Sequence, residues 1–124
     1  MSDPAAVQPT TTWLALLGAV LGELRHRAGR SQAEVAAACG LQQAAWSKLE
    51  RGATAPSVEL AVVAAEALGT TPSAVFARAE AVVAAAEARG IRVERRRADA
   101  SAMGLLGPEA LTALVAAADA GQSP

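Results

Sequence analysis

The stretch SQAEVAAACGLQQAAWSKLERG, residues 31–52, decides how this chain folds. Ser31 followed three residues later by Glu34 is the pattern of a capping box, in which the two residues satisfy backbone N–H groups at a helix start. The helix is predicted to run to about Cys39, where Gly40 supplies the positive φ that a tight turn requires. The first half of the stretch therefore predicts a short helix followed by a turn.

The second half predicts another helix, from Gln43 to Arg51, which stops at Gly52. Residues three and four apart share a helix face, so the segment divides into two stripes. The apolar stripe, which should pack on the preceding helices, consists of Leu41, Ala45, Trp46 and Leu49. The opposite stripe, of small, amide and basic side chains, consists of Gln43, Ala44, Ser47, Lys48 and Arg51.

Three more helices are predicted from capping residues and apolar spacing on either side of this pair. They span about residues 12–28, 57–68 and 71–89, each beginning at a Ser or Thr and ending at a Gly. Five short helices, of which the second and third are joined by a glycine turn, describe a helix-turn-helix domain. We therefore predict an all-α fold, with this domain over residues 12–80.

The two ends of the chain carry weaker patterns. Residues 1–11 show no periodicity and are predicted to be a disordered arm. Ile91 and Val93 alternate with charged residues, which fits a short edge strand or, equally, a flexible basic segment. Pro108 is predicted to begin a last helix. Residues 81–124 are therefore assigned to a C-terminal extension that carries a possible strand and one helix.

Composition favours an intracellular protein. The 124 residues include one cysteine, which excludes an internal disulfide framework. The N-terminus lacks a secretory pattern, and the apolar run over residues 13–24 is about half the length that a bilayer requires. We expect a cytoplasmic protein that does not associate with a membrane.

Charge is segregated along the chain. The net charge of −1 argues against a generic basic nucleic-acid binder, but phosphate binding depends on local patches. Residues 13–52 hold three acidic residues and five basic ones, the basic ones being Arg25, Arg27, Arg30, Lys48 and Arg51.

Residues that could carry catalysis or bind a metal are scarce. His26 is the single histidine and has no companion cluster of Cys or His. Cys39 is interpreted as a small structural residue. The sequence contains neither a Gly-rich phosphate loop nor a paired-carboxylate signature. We expect no enzymatic activity, no metal and no cofactor.

Several spaced elements resemble the phage repressor and Cro family, also called the xenobiotic-response-element family. They are LG-x-x-L-x-x-LR in the first helix, SQAE-x-A in the second, S-x-LERG in the third, PS in the next loop and ALG before the fifth. The resemblance covers about residues 13–80. It implies a lambda-repressor-like fold of five helices that binds double-stranded DNA with its third helix.

The third helix suits the major groove of DNA. Ala44 and Ser47 are small enough for a close approach to the bases, an amide pairs with adenine N6 and N7, and Lys48 reaches guanine O6 and N7. The resemblance implies that Gln43 contacts a base, Gln32 a phosphate and Arg51 the DNA backbone. Gln42 stands where Ser or Thr usually caps the helix, which leaves its amide available to a phosphate. The predicted DNA-binding residues are Gln32, Gln42, Gln43, Ala44, Ser47, Lys48 and Arg51.

The same resemblance bears on two further arginines, Arg25 and Arg30. It implies that Arg25, late in the first helix, forms a partly buried ion pair with Glu50, late in the third. That pair is predicted to be structural and to hold the third helix in place. Arg30 stands where the family usually has an apolar residue; contact with a phosphate and simple solvation both remain open.

The C-terminal extension is predicted to form a homodimer, since one helix-turn-helix reads about one half-site. The strand at Ile91–Val93 could pair with its copy in the partner, and Arg95, Arg96 and Arg97 could contact phosphates or keep a sheet edge soluble. The alternative is that the last helix packs on its own domain. The apolar side chains predicted for the interface are Val82, Val83, Leu111, Leu114 and Val115.

These patterns predict a sequence-specific transcriptional regulator, most simply a repressor that occludes a promoter. A second hypothesis is an antitoxin that represses its own operon and binds a toxin protein with its C-terminal third. A third is a protein-interaction adaptor that keeps the fold without contacting DNA, to which the sequence pI of 5.8 lends weight.

Overall fold

The computed structural model describes residues 8–96 and 106–122. Within them lie six helices and two short strands, and the predicted all-α helix-turn-helix fold with a C-terminal helix is confirmed. Residues 1–7 of the predicted arm and residues 97–105, which include Arg97, lie outside the described residues. The elements are β1 (Thr10–Thr12), α1 (Trp13–Arg27), α2 (Gln32–Ala38), α3 (Gln43–Glu50), α4 (Val58–Ala67), α5 (Pro72–Ala88), β2 (Arg92–Glu94) and α6 (Pro108–Gln122).

Four helices begin at the predicted capping residues. The hydroxyl groups of Thr12, Ser31, Ser57 and Thr71 each accept a backbone N–H in the first turn, at distances from 2.9 to 3.2 Å. At α2 both bonds of the predicted capping box are present. Gln42 is the N-cap of α3, and its side chain makes no capping bond. The starts of these four helices are thus set by local side-chain chemistry, and the start of α3 is not.

The core forms where α1 crosses α3 and α5. Trp46 is fully buried, as predicted, and it belongs to the same core cluster as Leu17 and Leu21 of α1. α1 and α3 come closest at Gly18, where an added Cβ would lie 2.4 Å from the carbonyl oxygen of Leu49. A residue with a side chain does not fit there, so Gly18 sets the distance between the two helices.

The last helix packs on its own domain. α6 lies against α1 and α5, and Leu111, Leu114 and Val115 are at most 8% exposed. Val82 and Val83 of α5 are equally buried. These five side chains therefore contact their own chain, and the prediction that they form a dimer interface is corrected. The physical reason is that the apolar face of α6 packs on an apolar surface formed by α1 and α5, and this contact removes it from solvent.

The described end of the predicted arm is an ordered strand. β1 pairs in parallel with β2, in the register Thr10 to Arg92, Thr11 to Val93 and Thr12 to Glu94. This corrects the assignment of residues 10 and 11 to a disordered arm, and it gives β2 a partner within the same chain. A run of threonines has no alternation to reveal a strand, although β-branched side chains suit one.

Candidate nucleic-acid interface

α3 has one face in the core and one face outside it. Trp46 and Leu49 are 0% and 4% exposed, whereas the predicted reading face points away from the core. Its side chains are all exposed except that of Ser47, which is half-buried; they are Gln43, Ala44, Ser47, Lys48 and Arg51. The structure thus brings the four predicted residues of α3 and Arg51, its C-cap, together on one uncovered surface, which we call the α3 face.

The charges around the α3 face are mainly positive. Lys48, Arg51 and Arg30 are exposed, and none of them makes an ion pair with another described residue. The nearby acid on α2, Glu34, accepts the backbone N–H of Ser31 at 3.0 Å. That hydrogen bond lowers the pKa of Glu34. The carboxylate is therefore occupied at a helix start, while the three basic groups remain available to an anion.

Gln42 and Gln32, both predicted to contact phosphates, differ in the structure. Gln42 is exposed, and its side chain is not used in capping. Gln32 is half-buried, and its side-chain nitrogen donates to Glu50 Oε1 at 3.1 Å. One of its two N–H groups is therefore engaged inside the fold, and the other is left for a phosphate.

A group of four side chains lies directly behind the α3 face; we call Arg25, Gln32, Trp46 and Glu50 the Glu50 cluster. Arg25 donates to both carboxylate oxygens of Glu50, at 2.6 and 3.1 Å, so the predicted ion pair is present. The indole N–H of Trp46 and the amide of Gln32 donate to the same carboxylate. The side chains of Arg25 and Glu50 are 10% and 12% exposed. One carboxylate thus joins α1, α2 and α3.

Arg25 also holds the turn that precedes α2. Its Nη1 donates to the carbonyl oxygen of Arg30 at 3.0 Å. Arg25 therefore fixes the third helix through Glu50 and the start of the second helix through the backbone. The contact with the turn, like the Trp46 and Gln32 bonds, was not foreseen, because residue spacing does not show which polar atoms meet around a buried carboxylate.

Protonation of the cluster follows from these bonds. Burial by itself raises the pKa of Glu50, but hydrogen bonds from Arg25, Gln32 and Trp46 and the charge of Arg25 outweigh it. The net effect is that the pKa of Glu50 lies below its ordinary value. Glu50 is therefore ionised at neutral pH and accepts all four bonds as a carboxylate.

A second charged group lies between α1, α5 and α6; we call Glu23, Arg27, Arg78 and Asp119 the α6 network. Arg78 donates to both oxygens of Glu23, at 3.1 and 3.0 Å, and pairs with Asp119 at 3.1 Å. Arg27 binds Glu23 at 3.4 Å and also contacts Asp119. The network attaches α6 to the helix-turn-helix domain, and no sequence motif indicated it.

Cys39 and His26, the other residues considered for a chemical role, show no feature of a reactive site in the described part of the chain. Burial raises the pKa of the Cys39 thiol, which lowers its reactivity. His26 contacts Arg25, and the described residues contain no group of three potential metal ligands. No single helix in the described ranges is long and apolar enough to cross a membrane. Only α4 and α5 taken together reach the required length and apolar composition, and this pair is bent by 96°.

A short helix that projects small, amide and basic side chains from a helix-turn-helix fold defines a DNA-binding protein. The family model described as "Helix-turn-helix domain" matches residues 16–78, just over half of the chain. The chain belongs to this helix-turn-helix family. Its fold and its relatives are those of a DNA-binding transcriptional regulator, a class that is typically not enzymatic.

The solved structures similar to this chain include two of the clp gene regulator ClgR from Corynebacterium glutamicum. The first is 31% identical with a TM-score of 0.60, over 62% of this chain and 82% of that one. The second is 32% identical with a TM-score of 0.53, over 55% and 88%. Comparison with curated proteins gave no significant match.

Proposed function

We propose that this chain is a sequence-specific repressor of the phage repressor and Cro type, which acts as a homodimer and occludes a promoter. The observation that carries the proposal is the α3 face. Its amide, small and basic side chains lie together, and the rest of the described chain leaves them uncovered. In a helix-turn-helix fold, a helix with this surface is suited to enter the major groove of DNA.

Base recognition is assigned to the first two turns of α3. Gln43, at the N-terminal end, is proposed to pair its amide with adenine N6 and N7. Lys48, one turn further, presents an ammonium group suited to guanine O6 and N7. Ala44 and Ser47 let the helix backbone approach the base edges without a clash. We infer that specificity rests mainly on Gln43 and Lys48.

Phosphate contacts are assigned to the groups around this helix. Arg51 at its end and Gln42 at its start are both exposed, and the second N–H of Gln32 points to the same role. Contacts of this kind supply affinity and set the register of the protein on DNA without reading sequence. Their contribution should fall steeply with salt.

A different surface from the predicted one is proposed for the dimer. Two half-sites lie about 34 Å apart along DNA, so a repressor of this type needs a second copy. Large apolar side chains that remain exposed on one monomer are candidates for that contact. They lie on α4 and in the first turns of α5, and they are Val58, Val62, Val63 and Phe76.

The antitoxin hypothesis depends on a C-terminal surface for a toxin. The apolar side chains of α6, however, are buried against α1 and α5. No described feature of the extension therefore favours a toxin partner, and we propose the regulator in preference.

Selection from random DNA at moderate salt tests the function. We expect enrichment of an inverted repeat whose half-sites lie one helical turn, or a multiple of it, apart. Absence of any enriched sequence would favour the adaptor hypothesis instead.

Two substitutions separate the proposed roles on the selected site. Gln43→Ala should relax preference at one base pair, at a cost of roughly 1–3 kcal/mol for that pair. Arg51→Ala should weaken all sites alike and reduce the salt slope by about 1. Arg89→Ala, an exposed arginine at the end of α5, is the matched control for loss of charge. Equal effects of the first two variants on every site would contradict these assignments.

The dimer surface is tested by sedimentation of Val62→Lys. We expect this variant to be monomeric and to lose cooperative binding to the full inverted repeat. Ala113→Lys, at an exposed position of α6, should leave the dimer intact. A dimeric Val62→Lys protein would place the interface elsewhere.

A further inference from the structure

The structure contains an open cleft of about 970 Å³ that the sequence did not suggest. Its walls are α1, the end of α3 with the residues after it, and α6. α6 forms the third wall, opposite α1 and the end of α3. Ligand pockets typically enclose about 300–1,000 Å³, so this cleft is large enough for a small molecule.

The cleft is long and its walls are mostly apolar. It follows α1 from Ala15 to Arg27, a distance of about 18 Å at the helical rise per residue. Small side chains leave the space open along both helices, and Leu111 and Val115 line it from α6. The apolar lining residues include Ala15, Ala19, Leu106, Leu111, Val115 and Ala116. This shape suits an extended apolar chain.

The charges at the cleft point to an anionic head group. Each acid in the lining already has cationic partners: Glu23 and Asp119 bind arginines of the α6 network, and Glu50 binds Arg25. Arg51 also lines the cleft, but it has no ion pair within the described ranges. The cationic charge left without a counterpart therefore belongs to Arg51, and a carboxylate would complement it.

We propose that this cleft binds an elongated organic acid, an apolar chain with one carboxylate, whose head group pairs with Arg51. The regulatory part rests on the proposed function, in which Arg51 contacts the DNA backbone. A carboxylate on Arg51 competes with a phosphate for the same guanidinium. Gln32 and Glu50 line the cleft as well, so an occupant also lies against the residues that position α3. Bound acid therefore weakens DNA binding.

Dodecanoate is the probe for the site, titrated into the isolated protein without DNA and followed by calorimetry and by backbone NMR. We expect saturable binding of one molecule per chain. Shift changes should concentrate in α1, residues 51–53 and α6. Dodecanol, with the same chain and no charge, should bind at least tenfold more weakly.

Two pairs of variants locate the ligand. Ala116→Phe fills the cleft from an exposed lining position, and Ala113→Phe is the control at an exposed position outside the lining. We expect at least tenfold weaker binding for the first and unchanged binding for the second. Arg51→Gln should weaken dodecanoate severalfold and leave dodecanol unaffected, whereas Arg30→Gln, outside the lining, should change neither.

The outcomes separate this proposal from the proposed function. Absence of saturable binding, shift changes outside the cleft, or equal affinity for dodecanoate and dodecanol overturns the site as described, whatever the protein does to DNA. If the acid binds as expected, it should reduce affinity for a selected DNA site in the native protein and not in Ala116→Phe. Ligand binding with unchanged DNA affinity overturns the regulatory part. Absence of any selected DNA site overturns the proposed function and leaves the ligand result standing.

Discussion

The Glu50 cluster and the α6 network use the same kinds of side chain in different surroundings. In the cluster, Arg25 and Glu50 are 10% and 12% exposed, and one carboxylate accepts four hydrogen bonds. In the network, Arg27 and Asp119 are 57% and 44% exposed. Glu23 and Arg78 of the network are 16% and 11% exposed, so water competes mainly for its outer pair, Arg27 and Asp119. The comparison teaches that the cluster is shielded throughout, while the network attaches α6 through one shielded pair and an outer pair that contributes little by itself.

Removing Arg25 should have the largest effect. Arg25→Ala leaves Glu50 as a buried charge without its cation, and breaking such a pair costs about 3–5 kcal/mol. That is a large share of the roughly 5–15 kcal/mol that stabilises a typical domain. Urea unfolding followed by circular dichroism measures the loss. Arg27→Ala is the matched control, and an equal loss in both variants would contradict the distinction between the two regions.

Separating α1 from α3 should come next. Gly18→Ala places a Cβ at 2.4 Å from the Leu49 carbonyl oxygen, a backbone atom that cannot turn aside. We expect a loss of roughly 1–3 kcal/mol in the free energy of unfolding, the usual range for an overpacked core. Gly22→Ala approaches the Glu50 side chain at the longer distance of 3.2 Å and should cost less. A neutral Gly18→Ala would show that the two helices are not held at this distance.

Acid should weaken the cluster. The pKa of Glu50 is lower in the folded protein than its ordinary value of 4.5. A lowered folded pKa means stability that is fully present above the unfolded value and is lost as pH falls through the folded one. The free energy of unfolding, measured from pH 7 downward, should therefore fall below about pH 4.5. The Glu50→Gln protein should lack this loss of stability in acid. If the free energy of unfolding varied with pH in the same way in both proteins, Glu50 would not be the group responsible.

The α6 network should give the smallest effect. Asp119→Ala removes a half-exposed partner of Arg27 and Arg78, and pairs of this kind contribute about 0.2–1 kcal/mol. The loss should shrink at 1 M salt because exposed charges are screened, whereas the effect of Arg25→Ala should persist. If Asp119→Ala lowered the free energy of unfolding by several kcal/mol independently of salt, the contribution of Asp119 would resemble that of the buried Glu50 cluster.

Sequence patterns were sufficient for the helix-turn-helix itself. Ser31 with Glu34, and Thr12, Ser57 and Thr71, cap the helices that they were predicted to cap. Capping is a bond between residues three apart, so a linear sequence displays it. The two stripes of α3 follow in the same way from helical periodicity. The DNA contacts assigned to the exposed stripe stay a prediction until they are measured.

What lies far apart in the chain was decided by the tertiary structure. β1 and β2 pair across about eighty residues, α6 buries its apolar face against α1 and α5, and Gln32 of α2 donates to the Glu50 carboxylate of α3. The cleft exists because α6 stands opposite α3. Local caps and periodic faces are properties of neighbouring residues, and the sequence determines them by itself. The partner of an apolar face or of a buried charge depends on which surfaces meet when the helices pack, and that is a property of the whole fold.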